Sequence, residues 1–218
     1  MNCLLIDTII MAPRGRPLSF DRNAALLTAM DLFQRHGYEG TSIADLTRAI
    51  GISAPSLYNA FGDKESLFKE AVEHYVAHDG GASLRALRQH PGSAREAVGA
   101  MLQAATRRSG CGEGRGCLVV LGAANCGEEN QRMDDFLKSY RLATVETIHR
   151  RLVQAQADGE LSAETDTRAL ACFYATVLNG IAIQVKDGAP SSVLAAVAEA
   201  AMRAWPEPVG RQPRRGSA

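Results

Sequence analysis

A chain of 218 residues, 46% hydrophobic and 22% charged, can bury one large core or two small ones, and its composition excludes a disordered or fibrous protein. Its 24 Lys and Arg are cancelled by 24 Asp and Glu, so no global positive field announces nucleic acid, although groove binding needs only a local patch. No apolar run approaches the roughly 20 residues that a bilayer requires, which predicts no membrane partner. Five cysteines, odd in number and without framework spacing, fit free thiols in a reducing, cytoplasmic compartment.

The opening Met1–Met11 is apolar but carries Asp7 and lacks the basic start and cleavage site of a signal peptide. Met11 is the expected functional start, with residues 1–12 a disordered or mis-assigned extension. Beyond it almost every periodic segment has helical spacing, and no convincing period-2 strand occurs, so the expected class is all-α. The first helix is predicted from Asp21 to His36, burying Leu26, Met30 and Phe33 and ending at Gly37 as a left-handed cap. Ile43, Leu46 and Ile50 then mark one buried face of a short second helix. A tight turn at Gly51 follows, and Ile52, Leu57 and Phe61 carry the core into a short third helix. The outer side of that helix is left with Ala54, Pro55, Ser56, Tyr58 and Asn59, small or polar throughout. Two short helices crossing at a glycine turn are how a protein offers a helix to the DNA major groove.

Asp63 starts a fourth helix, with Glu65 in its first turn, reaching about Ala77 before Gly80 and Gly81 break it. A short helix at Leu84–Arg88 and a longer one from Ser93 to about Arg108 come next. The glycine-dense loop Gly110–Gly116 precedes a short apolar segment, Cys117–Asn125, read as a buried helix. Glu129–Ala157 is a long amphipathic helix with Met133, Phe136, Leu137, Tyr140, Ile148 and Leu152 on one side. Ala163–Lys186 is apolar nearly all round and must be covered on every side, which makes a second copy of the chain its expected cover. Ser191–Trp205 is alanine-rich and uses Leu194, Val197, Ala201 and Trp205. The tail, residues 206–218, has the composition of disorder. The expected organisation is a helix-turn-helix module over residues 13–62 and a larger helical bundle over residues 63–205 that binds an effector and dimerises.

From Pro13 to about Phe68 the chain resembles the DNA-binding domain of the TetR family of bacterial transcriptional regulators. The resemblance rests on Arg14-Gly-Arg-Pro, Phe20-Asp, Ala29-x-x-Leu-Phe33, His36-Gly-Tyr, Thr41-Ser-Ile, Gly51-Ile-Ser, Ser56-Leu-Tyr-Asn-Ala-Phe61 and Asp63-Lys-Glu-Ser-Leu67. It implies a homodimer formed through the last two long helices, at 163–186 and 191–205, and an unknown small-molecule effector whose binding releases double-stranded operator DNA. By the family pattern Thr41 and Ser42 cap the second helix and offer hydroxyls to a phosphate. Ala54, Pro55, Ser56 and Asn59 face the groove, and Tyr58 and Lys64 grip backbone phosphates. Arg14 and Arg16 lie on a Gly/Pro-rich arm suited to a minor groove. The fourth helix, joining the two parts, is the expected lever.

Gly116-Cys-Leu and Gln184-Val-Lys-Asp-Gly-Ala189 are similar to a branch of the family that includes repressors responding to electrophiles and oxidants. In that branch's pattern Cys117 is the sensor and Lys186 its neighbouring cation, which would favour the thiolate, with Cys111 or Cys126 as resolving thiol. The plainer reading makes Cys117 and Cys172 small core hydrophobes. A structural zinc site lacks its C-x-x-C and paired histidines, so no metal or cofactor is expected. His74 and His78 share a helix face without a third ligand and are read as surface or cavity lining. The glycine loop has neither a preceding strand nor the Gly-Lys-Ser/Thr of a phosphate-binding loop, and no catalytic constellation occurs, so an enzyme is not expected. The leading expectation is a repressor released by a small molecule or reactive electrophile; the alternative is a helical ligand-binding protein that does not touch DNA.

Overall fold

The computed structural model describes residues 20–107, 116–122 and 130–206. The expected extension, the arginine arm with Arg14 and Arg16, Cys111, Cys126 and most of the tail lie outside these residues. Ten α-helices and no strand make up the described chain. They are α1 (Arg22–His36), α2 (Ile43–Ile50), α3 (Ala54–Phe61), α4 (Lys64–Ala77), α5 (Ala82–Gln89), α6 (Ala94–Thr106), α7 (Leu118–Leu121), α8 (Gln131–Ala157), α9 (Thr167–Lys186) and α10 (Ser191–Met202).

Two apolar clusters hold the molecule. The first gathers Phe33, Leu46, Leu57, Leu67 and Phe68 from α1–α4, and also takes in Leu118 of α7 with Met133 and Leu137 of α8. Phe33, Tyr38 and Phe68 meet edge-on or stacked with ring centroids 5.0–6.4 Å apart. The second cluster packs α5, α6 and the C-terminal half of α8 against α9 and α10, around Met101, Leu152, Tyr174 and Leu194. The helix-turn-helix core is therefore continuous with α7 and the start of α8, and the short α7 bridges the two parts of the chain.

Several boundaries differ from the sequence reading. Helix α9 begins at Thr167, not Ala163, because the Asp166 carboxylate accepts from the amides of Arg168 and Ala169 and so fixes the start. Residues 162–165 are instead gathered by the Gln156 amide, which donates to the carbonyls of Ser162, Ala163 and Thr165. Helix α10 closes at Met202 and α7 has only four residues. Gly37 takes a positive φ of 74° but a ψ of 178°, so it is not the left-handed cap expected; it leaves the helix in a conformation essentially reserved for glycine.

Helix α9 also overturns the statement that no run reaches membrane length. It has 20 residues and a stretch of mean hydropathy 1.3, long and apolar enough to cross a bilayer by composition. Arg168, Thr176, Asn179 and Gln184 interrupt its apolar residues. One side packs on α6, α8 and α10 through Ala171, Tyr174, Ala175 and Ile181. The opposite side exposes Phe173 and Ile183, and Val193 and Val197 of α10 are exposed as well. Val197 is thus not the core position expected.

Candidate nucleic-acid interface and the cavity behind it

Helix α2 starts from a reciprocal capping box. Ser42 Oγ accepts from the Asp45 amide, and the Asp45 carboxylate accepts from the Ser42 amide at 3.1 Å. The carboxylate also accepts from the Ser42 hydroxyl at 2.5 Å, and this bond first, then the one from the Ser42 amide, holds the Asp45 carboxyl below its ordinary range. Gly51 ends the helix at φ 78°, ψ 32°, the left-handed conformation that a side chain resists, and this produces the turn. Ser53 then caps α3 by accepting from the Ser56 amide, and Pro55 sits in the first turn, where its missing N–H costs nothing.

Leu57 and Phe61 anchor the inner side of α3 at 0% and 5% exposure, against Leu46. Its outer side carries Pro55, Tyr58 and Asn59, all exposed, with Ala54 and Ser56 half-buried beside them. Tyr58 is 46% exposed, a large aromatic left in water on an eight-residue helix. The Ser56 hydroxyl lies 2.9 Å from that of Ser53 and is shared with the cap.

Lys64 stands at the first position of α4, with its ammonium 4.2 Å from the centre of the Tyr38 ring. A cation there opposes the helix dipole, and the ring face offsets part of that cost. Thr41 does not present a hydroxyl to solvent: it is fully buried and donates to the Gly37 carbonyl at 2.7 Å. The expected phosphate contact through that hydroxyl is corrected, and only Ser42 keeps an exposed capping hydroxyl.

One positioning residue is not apparent from sequence spacing. Arg22 donates to both Glu70 carboxylate oxygens at 2.6 and 2.8 Å and to the Ala60 carbonyl at 3.2 Å, while its guanidinium lies 4.4 Å over the Phe61 ring. It thereby ties the end of α3 to α1 and α4. Its partners lie 38 and 48 residues away, so only an unexplained Arg at the start of a helix was visible.

Behind this module lies a cavity of about 220 Å³. Val76 of α4, Leu84 of α5, Val120 of α7, Tyr140 of α8 and Ile181 of α9 contribute apolar wall. Cys117, half-buried, also lines it, and the Lys186 stem passes 3.4 Å from where a β-carbon on Gly116 would stand. Cys172 is exposed on α9, so the core reading fails for it. His74 of α4 and His78, just past its end, stack at 4.1 Å and are not among the residues lining the cavity.

The segment Gly116–Gly122 joins cavity to DNA module. Gln34 Nε2 donates to the Gly116 carbonyl at 3.3 Å, and the Tyr38 amide donates to the Gly122 carbonyl at 2.7 Å. Asn130, just before α8, adds a 3.0 Å bond to Glu39.

Comparison with known proteins agrees with this arrangement. Residues 25–71 match the model described as bacterial regulatory proteins, tetR family, and residues 92–201 match that described as Tetracyclin repressor-like, C-terminal domain. The HTH-type transcriptional repressor ComR of Escherichia coli is 34% identical over 195 residues, covering 89% of this chain and 93% of ComR. The repressor BdcR of the same organism is 29% identical, covering 84% and 88%. Among solved structures, a cysteine-substituted form of the TetR family regulator CifR, complexed with 26 bp of double-strand operator DNA, is 46% identical. It superposes with a TM-score of 0.82 over 88% of this chain and all of that one. With two domain models matched in order and a third of its residues shared with a curated repressor along nearly its whole length, the chain belongs to the TetR family of bacterial transcriptional regulators and is not an enzyme.

Proposed function

We propose that the chain is a homodimeric repressor that binds a palindromic operator through α3 and releases it when the cavity beneath α7 is filled. The observation that carries this reading is the pair of hydrogen bonds from α1 and Tyr38 to the two ends of the Gly116–Gly122 segment, since that segment is also cavity wall. Whatever displaces it acts on the helix-turn-helix core without crossing a second element.

Tyr58, Lys64 and Ser42 serve as phosphate contacts, which set register without reading bases. Asn59, with Ala54, Pro55 and Ser56, meets base edges: an amide pairs with adenine and a small apolar side chain meets a thymine methyl. Arg14 and Arg16 extend the contact into a minor groove. The exposed Phe173, Ile183, Val193 and Val197 are covered by the same surface of a second copy, the self-complementary arrangement of a two-fold dimer. The two recognition helices must then lie about one DNA turn apart, and the effector acts by favouring a state in which that separation is wrong. The cytoplasm, where the operator is, is the expected location.

Cys117 supports a covalent route to the same event. Its place on the cavity wall, with the Lys186 stem against the preceding residue, fits an electrophile that forms a carbon–sulfur bond there as the thiol loses its proton. Cys111 and Cys126 are the candidate resolving thiols for an oxidant. Alkylation of the native protein with adduct mapping tests this route: a Cys117 that reacts no faster than a free thiol refutes it.

The repressor reading is tested by mobility shift on DNA from upstream of the chain's own gene, with stoichiometry read at saturation. Two chains per shifted duplex is the expected result. No shift on any fragment of the native locus would favour a ligand-binding protein that does not act on DNA.

A further inference from the structure

The charged residues that line the cavity are of one sign. Among the described residues lining it there are two arginines, Arg88 and Arg141, and no aspartate or glutamate. Arg88, in the last turn of α5, is an exposed residue, and no hydrogen bond or ion pair joins it to another described residue. Arg141 uses two of its five N–H groups: Nη2 pairs with Asp134 at 2.8 Å, and Nη1 donates to the Val119 carbonyl at 3.2 Å. Its remaining donors have no partner among the described residues.

The neutral polar side chains on the wall, Ser83, Asn179, Tyr140, Thr144 and Thr147, can accept as well as donate and so do not by themselves select an anion. The hydroxyls of Thr144 and Thr147 already donate to the carbonyls of Tyr140 and Ala143, one turn back on α8. The Tyr140 phenol is raised above its ordinary value by burial first and the Glu73 carboxylate second, and stays neutral. A neutral apolar molecule filling this space would offer no partner to Arg88 or to the spare donors of Arg141, whereas an anion would. A cation would be repelled. A volume of about 220 Å³ exceeds the ~150 Å³ that accommodates benzene and falls short of the usual drug-sized pocket, so it suits one ring and a short substituent.

We propose that the effector of this cavity is a small, mainly apolar monocarboxylate of about one aromatic ring, bound through Arg88 and Arg141, and that recruiting Arg141 away from the Val119 carbonyl frees α7. The inference rests on the repressor reading for its consequence but not for its chemistry. A carboxylate carries the opposite charge and can take two parallel N–H···O bonds from a guanidinium, whereas the Val119 carbonyl takes one and is neutral. The exchange therefore favours the ligand and unfastens α7 from α8 at Val119. The segment's other hydrogen bonds to distant residues, at Gly116 and Gly122, are those to the helix-turn-helix module, and Leu118 remains packed with Met133 and Leu137.

The test is calorimetric titration of the full chain with 3-phenylpropanoate, 3-phenylpropanamide and 3-phenylpropylamine, three probes of nearly one shape. The acid is expected to bind, with the amide about tenfold weaker or worse and the amine weakest. Arg88→Met should bring the acid to the affinity of the amide, while Arg141→Lys, which keeps the charge but loses the fork, should keep part of the preference. Equal affinity for acid and amide, preference for the amine, or no binding of any of the three overturns the proposal. These comparisons on the unaltered chain need no variant to fold. Adding each probe to the protein–DNA complex separates the two readings: an amide that binds as well as the acid and releases DNA removes the carboxylate and leaves the repressor. A chain that binds the acid selectively but shifts no DNA does the reverse.

Discussion

The Tyr38 amide donates to the Gly122 carbonyl at 2.7 Å, and this bond places the residue after the first helix of the DNA module against the end of a cavity wall. The preceding residue makes the approach possible. Gly37 sits at φ 74°, and a β-carbon there would stand 3.3 Å from the same Gly122 oxygen. The same glycine's carbonyl receives the Thr41 hydroxyl. Three backbone demands thus converge on one residue.

Replacing Gly37 with Ala should destabilise the fold by about 1–3 kcal/mol, the cost of forcing a side chain into a sparsely populated backbone region. Gly99, inside α6 with no atom within 4 Å of an added β-carbon, is the contrasting site. Gly99→Ala should stabilise by about 0.5–1 kcal/mol. Urea denaturation of both variants checks the pair, and equal effects would contradict the backbone assignment.

Thr41→Val separates a structural hydroxyl from a phosphate contact. It should cost about 1 kcal/mol in unfolding free energy, the worth of the bond to Gly37. Operator affinity should hold at saturating folded protein, because no phosphate contact is lost. Affinity that falls while stability holds would restore the phosphate role.

Charge on the outer face of α9 should split the proposed dimer. Ile183→Glu and Phe173→Glu place carboxylates among the exposed apolar side chains there, and sedimentation should then report monomers. Operator affinity should fall by about a hundredfold or more, since the second half-site contact is no longer intramolecular. A variant that stays dimeric moves the interface elsewhere.

Stability should decline at both ends of the pH scale for separate reasons. Asp45, Asp63 and Glu96 are held below their ordinary values chiefly by hydrogen bonds at helix N-termini, from the Ser42 hydroxyl and the Ser66 and Ser93 amides respectively. A depressed folded value means that their contribution is present above the ordinary carboxylate range and is lost as pH falls through the lowered values. Tyr174 behaves oppositely. Burial, slightly offset by Arg95, pushes its phenol up to about 12, so its contribution is complete below the ordinary phenol value and is lost as pH rises from there toward 12. Melting temperature against pH, with Tyr174→Phe as control, checks both limbs; the alkaline decline should shrink in that variant.

What the sequence disclosed and what it concealed divide by range. The α2–α3 pair was legible because its signals are local: Ile43, Leu46 and Ile50 at helical spacing, a glycine at the turn, and Ile52, Leu57 and Phe61 beyond it. Thr41 was misread for the same reason. It sits beside the true cap and is chemically similar, and only the fold reveals that its hydroxyl turns back four residues. Arg22 was invisible as a clamp because Ala60, Phe61 and Glu70 come to it through tertiary packing. The junction at Gly116–Gly122 was hidden more deeply, since its hydrogen bonds end on backbone carbonyls that leave no mark on residue type. The two cavity arginines lay 53 positions apart on different helices, with nothing in the spacing to join them.

The most direct measurement is operator affinity across a salt series for the unaltered chain, Tyr58→Phe and Lys64→Ala, read by fluorescence anisotropy on a duplex from the native locus. Both variants should bind more weakly, and Lys64→Ala should reduce the slope of log affinity against log salt by about one, the signature of a lost phosphate contact. Unchanged affinity and unchanged slope in both variants would contradict the assignment of α3 and the start of α4 as the DNA-binding surface.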